Sequence, residues 1–163
     1  RLDMKKIMEE VADDLDAQIR RERGTVKMGN LPNLTGDRAQ IKRLFQNLIS
    51  NGLKFHKADE KPIVEVSGTT IKGAQLKEFG KPATDGDYAF FSVKDNGIGF
   101  DEKYKEKIFN IFQRLHGRND FEGTGIGLSI CRKIVVNHRG HILTKSEENV
   151  GSEFIVILPL KDP

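Results

Sequence analysis

One cysteine, Cys131, and no tryptophan occur in the 163 residues. A single thiol excludes an internal disulfide and fits a reducing compartment, so a cytoplasmic location is expected. Long hydrophobic runs are missing as well. The longest, such as Ile155-Val156-Ile157-Leu158, are a handful of residues, far short of the roughly 20 that a membrane-spanning helix needs. The opening RLDMKKIMEE has no apolar signal-peptide core. Charge of one sign is scarce: 27 basic residues face 24 acidic ones, net +3, and the two signs interleave, as in 57–61 and 101–107. A nucleic-acid reader shows a basic stripe with interleaved aromatics. None is visible here, so neither nucleic-acid nor membrane partners are expected. There is no G-x-x-x-x-G-K-[ST] stretch, which excludes a P-loop. No repeat or linker is visible either.

What remains is a one-domain length that can bury about 70% of its unfolded surface without metal or disulfide staples. The 37% hydrophobic content together with 16 glycines lies inside the globular range and excludes disorder as the main state. The chain begins with Arg rather than Met, which predicts a piece of a longer protein.

Met4, Ile7, Met8, Val11, Ala12, Leu15 and Ile19 recur at three- and four-residue steps, predicting one amphipathic helix over 3–22. A short strand at 25–28 follows the break at Gly24. Asp37 and Gln40 form a capping pair before a second helix, expected to run to about 57. Strands are expected at 63–67 and 88–94, joined by a long exposed connection over 68–87. A short helical piece to about Phe112, a polar segment 113–124, a third helix from Thr124 with Gly140 as its stop, and a terminal hairpin complete the pattern. This order predicts an α/β two-layer sandwich: a mixed, mostly antiparallel sheet with about three main helices on one face.

Three clusters carry chemistry. On the second helix, at about 100° per residue, Asn47, Asn51 and Lys54 fall within about 60° of one another at the border of the apolar face. An Asn oxygen is a hard ligand suited to Mg²⁺, and Lys suits a phosphate. The same stripe also reads as an ordinary solvated helix face. Asp95-Asn96-Gly97-Ile98-Gly99-Phe100 directly follows a strand. Its two glycines permit positive φ and close approach of a planar ligand, and Asp95 can accept from an exocyclic amine such as that of adenine. Alone, it is also an ordinary turn. Gly123-Thr124-Gly125-Ile126-Gly127-Leu128 opens a helix, where backbone N–H groups attract anions. Its G-x-G-x-G spacing is not the dinucleotide G-x-G-x-x-G.

In this order the clusters resemble the boxes of a known family, the ATP-binding catalytic domain of sensor histidine kinases. Its superfamily, that of the Bergerat fold, also holds DNA gyrase, the heat-shock chaperone and mismatch-repair ATPases. Gln46–Phe55 matches the N box, Asp95–Phe100 the G1 box, Ile108–Arg114 the F box and Gly123–Leu128 the G2 box. Gly151-Ser152-Glu153-Phe154 matches the closing strand. The resemblance covers essentially all of residues 1–163, as one catalytic domain without the phosphoacceptor helical hairpin or the sensor.

By that resemblance the cofactors are ATP and Mg²⁺. Asn51 holds the metal and Asn47 supports the metal and phosphate site. Lys54 contacts phosphate, Phe55 flanks the adenine and Asp95 reads its amine. Gly97 and Gly99 admit the ring. Arg114 is on the γ-phosphate side, and Gly123, Thr124, Gly125, Gly127 and Leu128 close a short ATP lid. The implied partners are the protein's own dimerisation and phosphoacceptor domain, as a homodimer, and a downstream response regulator.

Two positions depart from the family pattern: Gly52 replaces the usual Ala, and Arg139 replaces a frequent Gly. A third divides the superfamily. Hydrolysing members carry a water-activating Glu four residues before the metal-binding Asn, and here Asn47 stands there. An amide takes no proton at neutral pH, which implies phosphotransfer rather than a hydrolytic motor. None of His56, His116, His138 and His141 precedes an acidic residue as the family's acceptor histidine does. A serine kinase of the anti-sigma type and a nucleotide-binding module without transfer activity are the competing readings.

Overall fold

Two helices open the chain where the sequence predicts one. The structure, a computed structural model, describes residues 1–109 and 127–161. Helix α1 spans Met4–Asp14 and α2 spans Asp16–Glu22, with Leu15 between them at φ −94°, ψ 5°. The break falls within Asp13-Asp14-Leu15-Asp16, where three carboxylates repel one another and Asp is a weak helix former. Asp3 caps α1 by accepting from the Lys6 N–H. Its stripe of Met4, Ile7, Met8 and Val11 is fully buried.

Helix α3, Arg38–Lys54, begins on Asp37, whose carboxylate accepts from the Gln40 N–H as the capping pair predicts. It ends three residues earlier than expected. Helix α4 spans Gly127–Asn137. Its C-terminal end differs from the expectation: the residue at positive φ is Arg139, at 58°, not Gly140. Gly140 is needed for another reason, since a β-carbon there would collide with the Ile157 carbonyl. His138 ties α4 to the start of α3. Its Nδ1 lies 2.8 Å from the Ile134 carbonyl, and its Nε2 accepts from the Asp37 N–H at 3.0 Å. That is the packed structural role expected of it.

The strands are β1 (Thr25–Met28), β2 (Ile63–Lys72), β3 (Asp87–Asp95), β4 (His141–Glu147) and β5 (Gly151–Pro159). They form one sheet in the order β1-β2-β3-β5-β4. Only β1 and β2 run parallel, with α3 in the connection between them; the other pairs are antiparallel. Alternation along each strand sends Val64, Val66, Ala89, Phe91, Val93, Phe154, Val156 and Leu158 into the core with α1, α3 and α4. Phe45 of α3 meets Phe91 of β3 edge-on, ring centroids 5.1 Å apart. The α/β sandwich with a mixed, mostly antiparallel sheet is therefore present, with four α-helices among the described residues rather than three.

The connection 68–87 is not a loose excursion. Strand β2 extends to Lys72, and a 3-10 helix, Gly73–Phe79, folds over the opposite face of the sheet. There Leu76 and Phe79 pack with Ile71, Phe90, Leu143, Ile155 and Ile157 in a second, smaller core.

Candidate functional site

The site forms where the C-terminal half of α3 lies over the end of β3. Asn47, Asn51 and Lys54 occupy one flank of α3, each half-buried beside the fully buried Leu44, Leu48 and Ile49. The Asn47 amide nitrogen is buried with no hydrogen-bond partner among the described residues. It lies against the Cys131 thiol of α4, a weak acceptor that does not meet hydrogen-bond geometry. Burial pushes that thiol up to about 12, with Asn47 opposing, so Cys131 is an inert core group. An unpaired buried N–H is costly, and the weakly accepting Cys131 sulfur is the group it faces. Asn47 thus joins the flank of α3 to the helix that follows the G2 box.

The helix stops at Phe55, and the Lys54 ammonium sits 5.3 Å from the Phe55 ring centroid. The Phe55 carbonyl accepts from the Ile98 N–H at 2.9 Å. A β-carbon on Gly97 would run into the same carbonyl. Gly97 is therefore required by close backbone approach and not by positive φ, which among the two glycines only Gly99 adopts, at 62°. Asn96 anchors the loop to β2, its Oδ1 accepting from the Ile63 N–H at 2.8 Å.

Asp95 closes this corner. Its Oδ1 accepts from the Gly97 N–H at 2.8 Å and from the Ser152 N–H at 3.2 Å. Oδ2 takes neither bond. Burial raises the Asp95 pKa to about 6, against the pull of those two N–H groups. A carboxylate fixed by one oxygen, beside a turn whose glycines pack against the Phe55 and Glu147 carbonyls, is suited to accept from a planar heterocycle's amine.

Behind the turn stands a buttress that sequence reasoning missed. The Phe100 N–H donates to Ser146 Oγ at 2.8 Å, and Ser146 Oγ lies 2.8 Å from Ser152 Oγ. The Asn149 N–H donates to the Ile98 carbonyl at 2.7 Å, and the Ser146 N–H to Glu102 Oε1 at 2.8 Å. The β4–β5 hairpin thereby fixes the Asp95–Phe100 loop from outside. The signal was present: Thr144 and Ser146 are polar where the alternation of β4 calls for core residues.

Gly127 opens α4 with open space around the position of a β-carbon, and Leu128 packs half-buried against the core. Arg114, Gly123, Thr124 and Gly125 lie outside the described residues, as does the expected lid. No cluster of three or more His, Cys, Asp or Glu side chains able to hold a metal occurs among the described residues. A divalent ion here would depend on the Asn51 oxygen and on ligand phosphates, a donor set that suits Mg²⁺.

Residues 36–162 match the family described as histidine kinase-, DNA gyrase B-, and HSP90-like ATPase. The chain belongs to this family. Among its relatives, phytochrome-like protein Cph1 of Synechocystis is 35% identical over 158 residues, covering 97% of this chain and 19% of that protein. Sensor protein RprX of Bacteroides fragilis is 33% identical over 131 residues, 79% of this chain and 22% of the relative. The chain therefore spans about a fifth of the length of these relatives. The solved catalytic domain of histidine kinase ThkA superposes with a TM-score of 0.72 at 27% identity, covering 98% of this chain and 93% of that one. Full-length ShkA in complex with AMPPNP shares the fold, with a TM-score of 0.77 at 21% identity over 31% of its length. The ATP-binding catalytic domain of a histidine kinase is thus the type to which this chain conforms. No described helix is long and apolar enough to cross a membrane.

Proposed function

We propose that this domain, as one part of a longer two-component sensor kinase, binds ATP with Mg²⁺ and presents the γ-phosphate to a histidine on a separate helical hairpin. A homodimer formed through that hairpin, a response regulator that receives the phosphoryl group and a cytoplasmic location complete the reading. The observation that carries it is Asp95, tied through Oδ1 to two backbone amides beside the Gly97–Gly99 turn and offering Oδ2 to the adenine amine. Asn51 would hold Mg²⁺, which neutralises phosphate charge when bound. Lys54 supplies a cation to the phosphates, and Phe55 a flat apolar wall for the base. Arg114 and the glycines at 123, 125 and 127, with Thr124 and Leu128, are assigned to the phosphate side and lid by their match to the family boxes.

Two further features favour transfer over hydrolysis. Asn47 stands where a basic carboxylate would activate water, and its amide nitrogen is buried against α4. Among the described histidines, His56 and His138 have both ring nitrogens engaged and His141 is half-buried. His116, outside the described residues, precedes Gly117 and not an acidic residue, so the acceptor is expected outside this chain. Incubated alone with labelled ATP and Mg²⁺, the chain should stay unlabelled. Mixed with the helical hairpin of the same protein, it should label that hairpin with an acid-labile, alkali-stable phosphoramidate. An acid-stable product would point to serine or threonine, and no labelling of a folded hairpin would leave a nucleotide-binding module.

A further inference from the structure

Among the described α-helices, α2 alone buries no side chain fully. Its Ile19 packs half-buried on the core, and polar contacts hold the rest of the helix to α3 and the loop beyond. Gln18 Nε2 donates to the Ser50 carbonyl at 3.1 Å, and Ser50 Oγ donates back to Gln18 Oε1 at 2.8 Å. One turn on, Glu22 Oε2 lies 2.8 Å from His56 Nε2, while His56 Nδ1 lies 2.8 Å from the Lys57 carbonyl. Both ring nitrogens face acceptors, and the ring satisfies both only as an imidazolium with two N–H groups. Ser50 lies between Asn47 and Asn51, and His56 directly follows Phe55. The carbonyl of Phe55, the residue before His56, is the seam with Gly97 and Ile98. A continuous path runs from Glu22 through His56 and the Phe55 carbonyl to the loop that starts at Asp95.

We propose that α2 is a polar latch on the nucleotide site: docking of Gln18 and Glu22 on Ser50 and His56 holds Phe55 and the Gly97–Ile98 turn in the geometry that binds ATP. The proposal rests on the site assigned above. Glu22 and His56 act as positioning residues through the Phe55 peptide. Coupling of this kind is reciprocal, so bound ATP also tightens the docking of α2. The charged groups around the ring are Glu22 and Arg21 of α2, with Arg21 Nε 3.7 Å from Glu22 Oε1, and Lys57 and Glu60 in the loop after α3. The Lys57 carbonyl, joined by Glu22 and the Glu60 backbone and opposed by burial, raises the His56 pKa above the ordinary histidine value. The latch is therefore at full strength below the ordinary value and is lost as pH rises through the raised one.

Calorimetric titration of the whole chain with ATP and Mg²⁺ from about pH 6.5 to 8.5, above the Asp95 titration and within the range in which a raised histidine titrates, tests this. Wild-type affinity should fall about five-fold or more, the low end of site-to-site coupling, as His56 loses its proton. Glu22→Gln should move that fall to lower pH, and His56→Gln should abolish it. The pair Gln18→Ala and Ser50→Ala should weaken binding while the fall persists, and amides 16–22 should exchange more slowly with ATP present. Thermal unfolding without nucleotide confirms that each variant is folded. Asp95→Asn, run alongside, separates the two readings. If it weakens binding while His56→Gln keeps the wild-type affinity and pH profile, the latch is overturned and the site stands. If Asp95→Asn leaves binding unchanged, the site assignment itself is overturned. Equal exchange of 16–22 with and without bound ATP also overturns the latch.

Discussion

At Asp95, burial and two backbone amides act in opposite directions on one carboxyl group, and burial wins. Because its folded-state pKa of about 6 lies above the unfolded value, the nucleotide-free domain loses stability as pH rises from the ordinary carboxyl range through 6. That loss is up to about 3 kcal/mol at about 1.4 kcal/mol per pKa unit. In the proposed site an adenine amine would be held more strongly by the ionised form, so binding would reverse the preference. ATP affinity should accordingly weaken by up to about tenfold per pH unit below the Asp95 titration. Asp95→Asn replaces an acceptor with a donor facing the amine and should weaken binding at pH 7.5 by about 5–150-fold, corresponding to about 1–3 kcal/mol. It should also flatten the acid limb. Calorimetry at several pH values checks both, and an acid limb surviving in the variant would assign that limb to another group. The chemistry of Asp95, and of Asn47, Asn51, Lys54 and Phe55 as neighbours, was legible from residue type and spacing. The reason for Gly97 was not, because it depends on the Phe55 carbonyl, 42 positions earlier in the sequence.

Gly52 of α3, the position where the family pattern has Ala, lies against Val64 of β2 and Asp95 of β3. A β-carbon there would lie 2.8 Å from Val64 Cγ2 and 3.3 Å from Asp95 Cβ. Helix propensity alone predicts a gain of roughly 0.5–1 kcal/mol for Gly52→Ala. Overpacking against a stiff valine costs about 1–3 kcal/mol, so the substitution should destabilise the domain by about 1 kcal/mol. Val64→Ala in the same chain should recover part of that loss. Urea unfolding of the two single variants and the double variant measures this, and additive losses would show that the two positions do not touch. At this scale the sequence was informative wherever periodicity had one source. The buried stripe of α3, its Asp37 cap and the short strand β1 were readable. The stripe continuing past Leu15 concealed a break set by neighbouring carboxylates. The Lys- and Gly-rich connection 68–87 read as exposed because its few apolar residues, Leu76 and Phe79, cover a sheet face that local sequence does not reveal.

Across the whole molecule, that face of the sheet divides into two halves with different solvation. One half is the small apolar core under Gly73–Phe79. The other carries a row of alternating charge through all five strands: Lys27 opposite Glu65, Glu65 opposite Lys94, Lys94 opposite Glu153 and Glu153 opposite Lys145. The Lys27 and Glu65 side chains approach to 3.8 Å, and Glu153 also accepts from Ser92 Oγ at 2.6 Å. A slip of one residue in any strand pair would break this row and turn core residues toward solvent, so the charges reinforce the register that places Asp95 against Ser152. Each exposed pair contributes only about 0.2–1 kcal/mol, and the central Lys94 takes part in two. Lys94→Glu sets three carboxylates side by side across β2, β3 and β5. The expected result is a loss of about 1–2 kcal/mol in urea unfolding at low ionic strength, from two attractive pairs made repulsive. Because these charges face water, about 1 M salt, with a Debye length near 3 Å, should remove most of the difference. Lys94→Gln should show a smaller loss. A Lys94→Glu penalty that is the same at both ionic strengths would assign the effect to packing and not to the charge row.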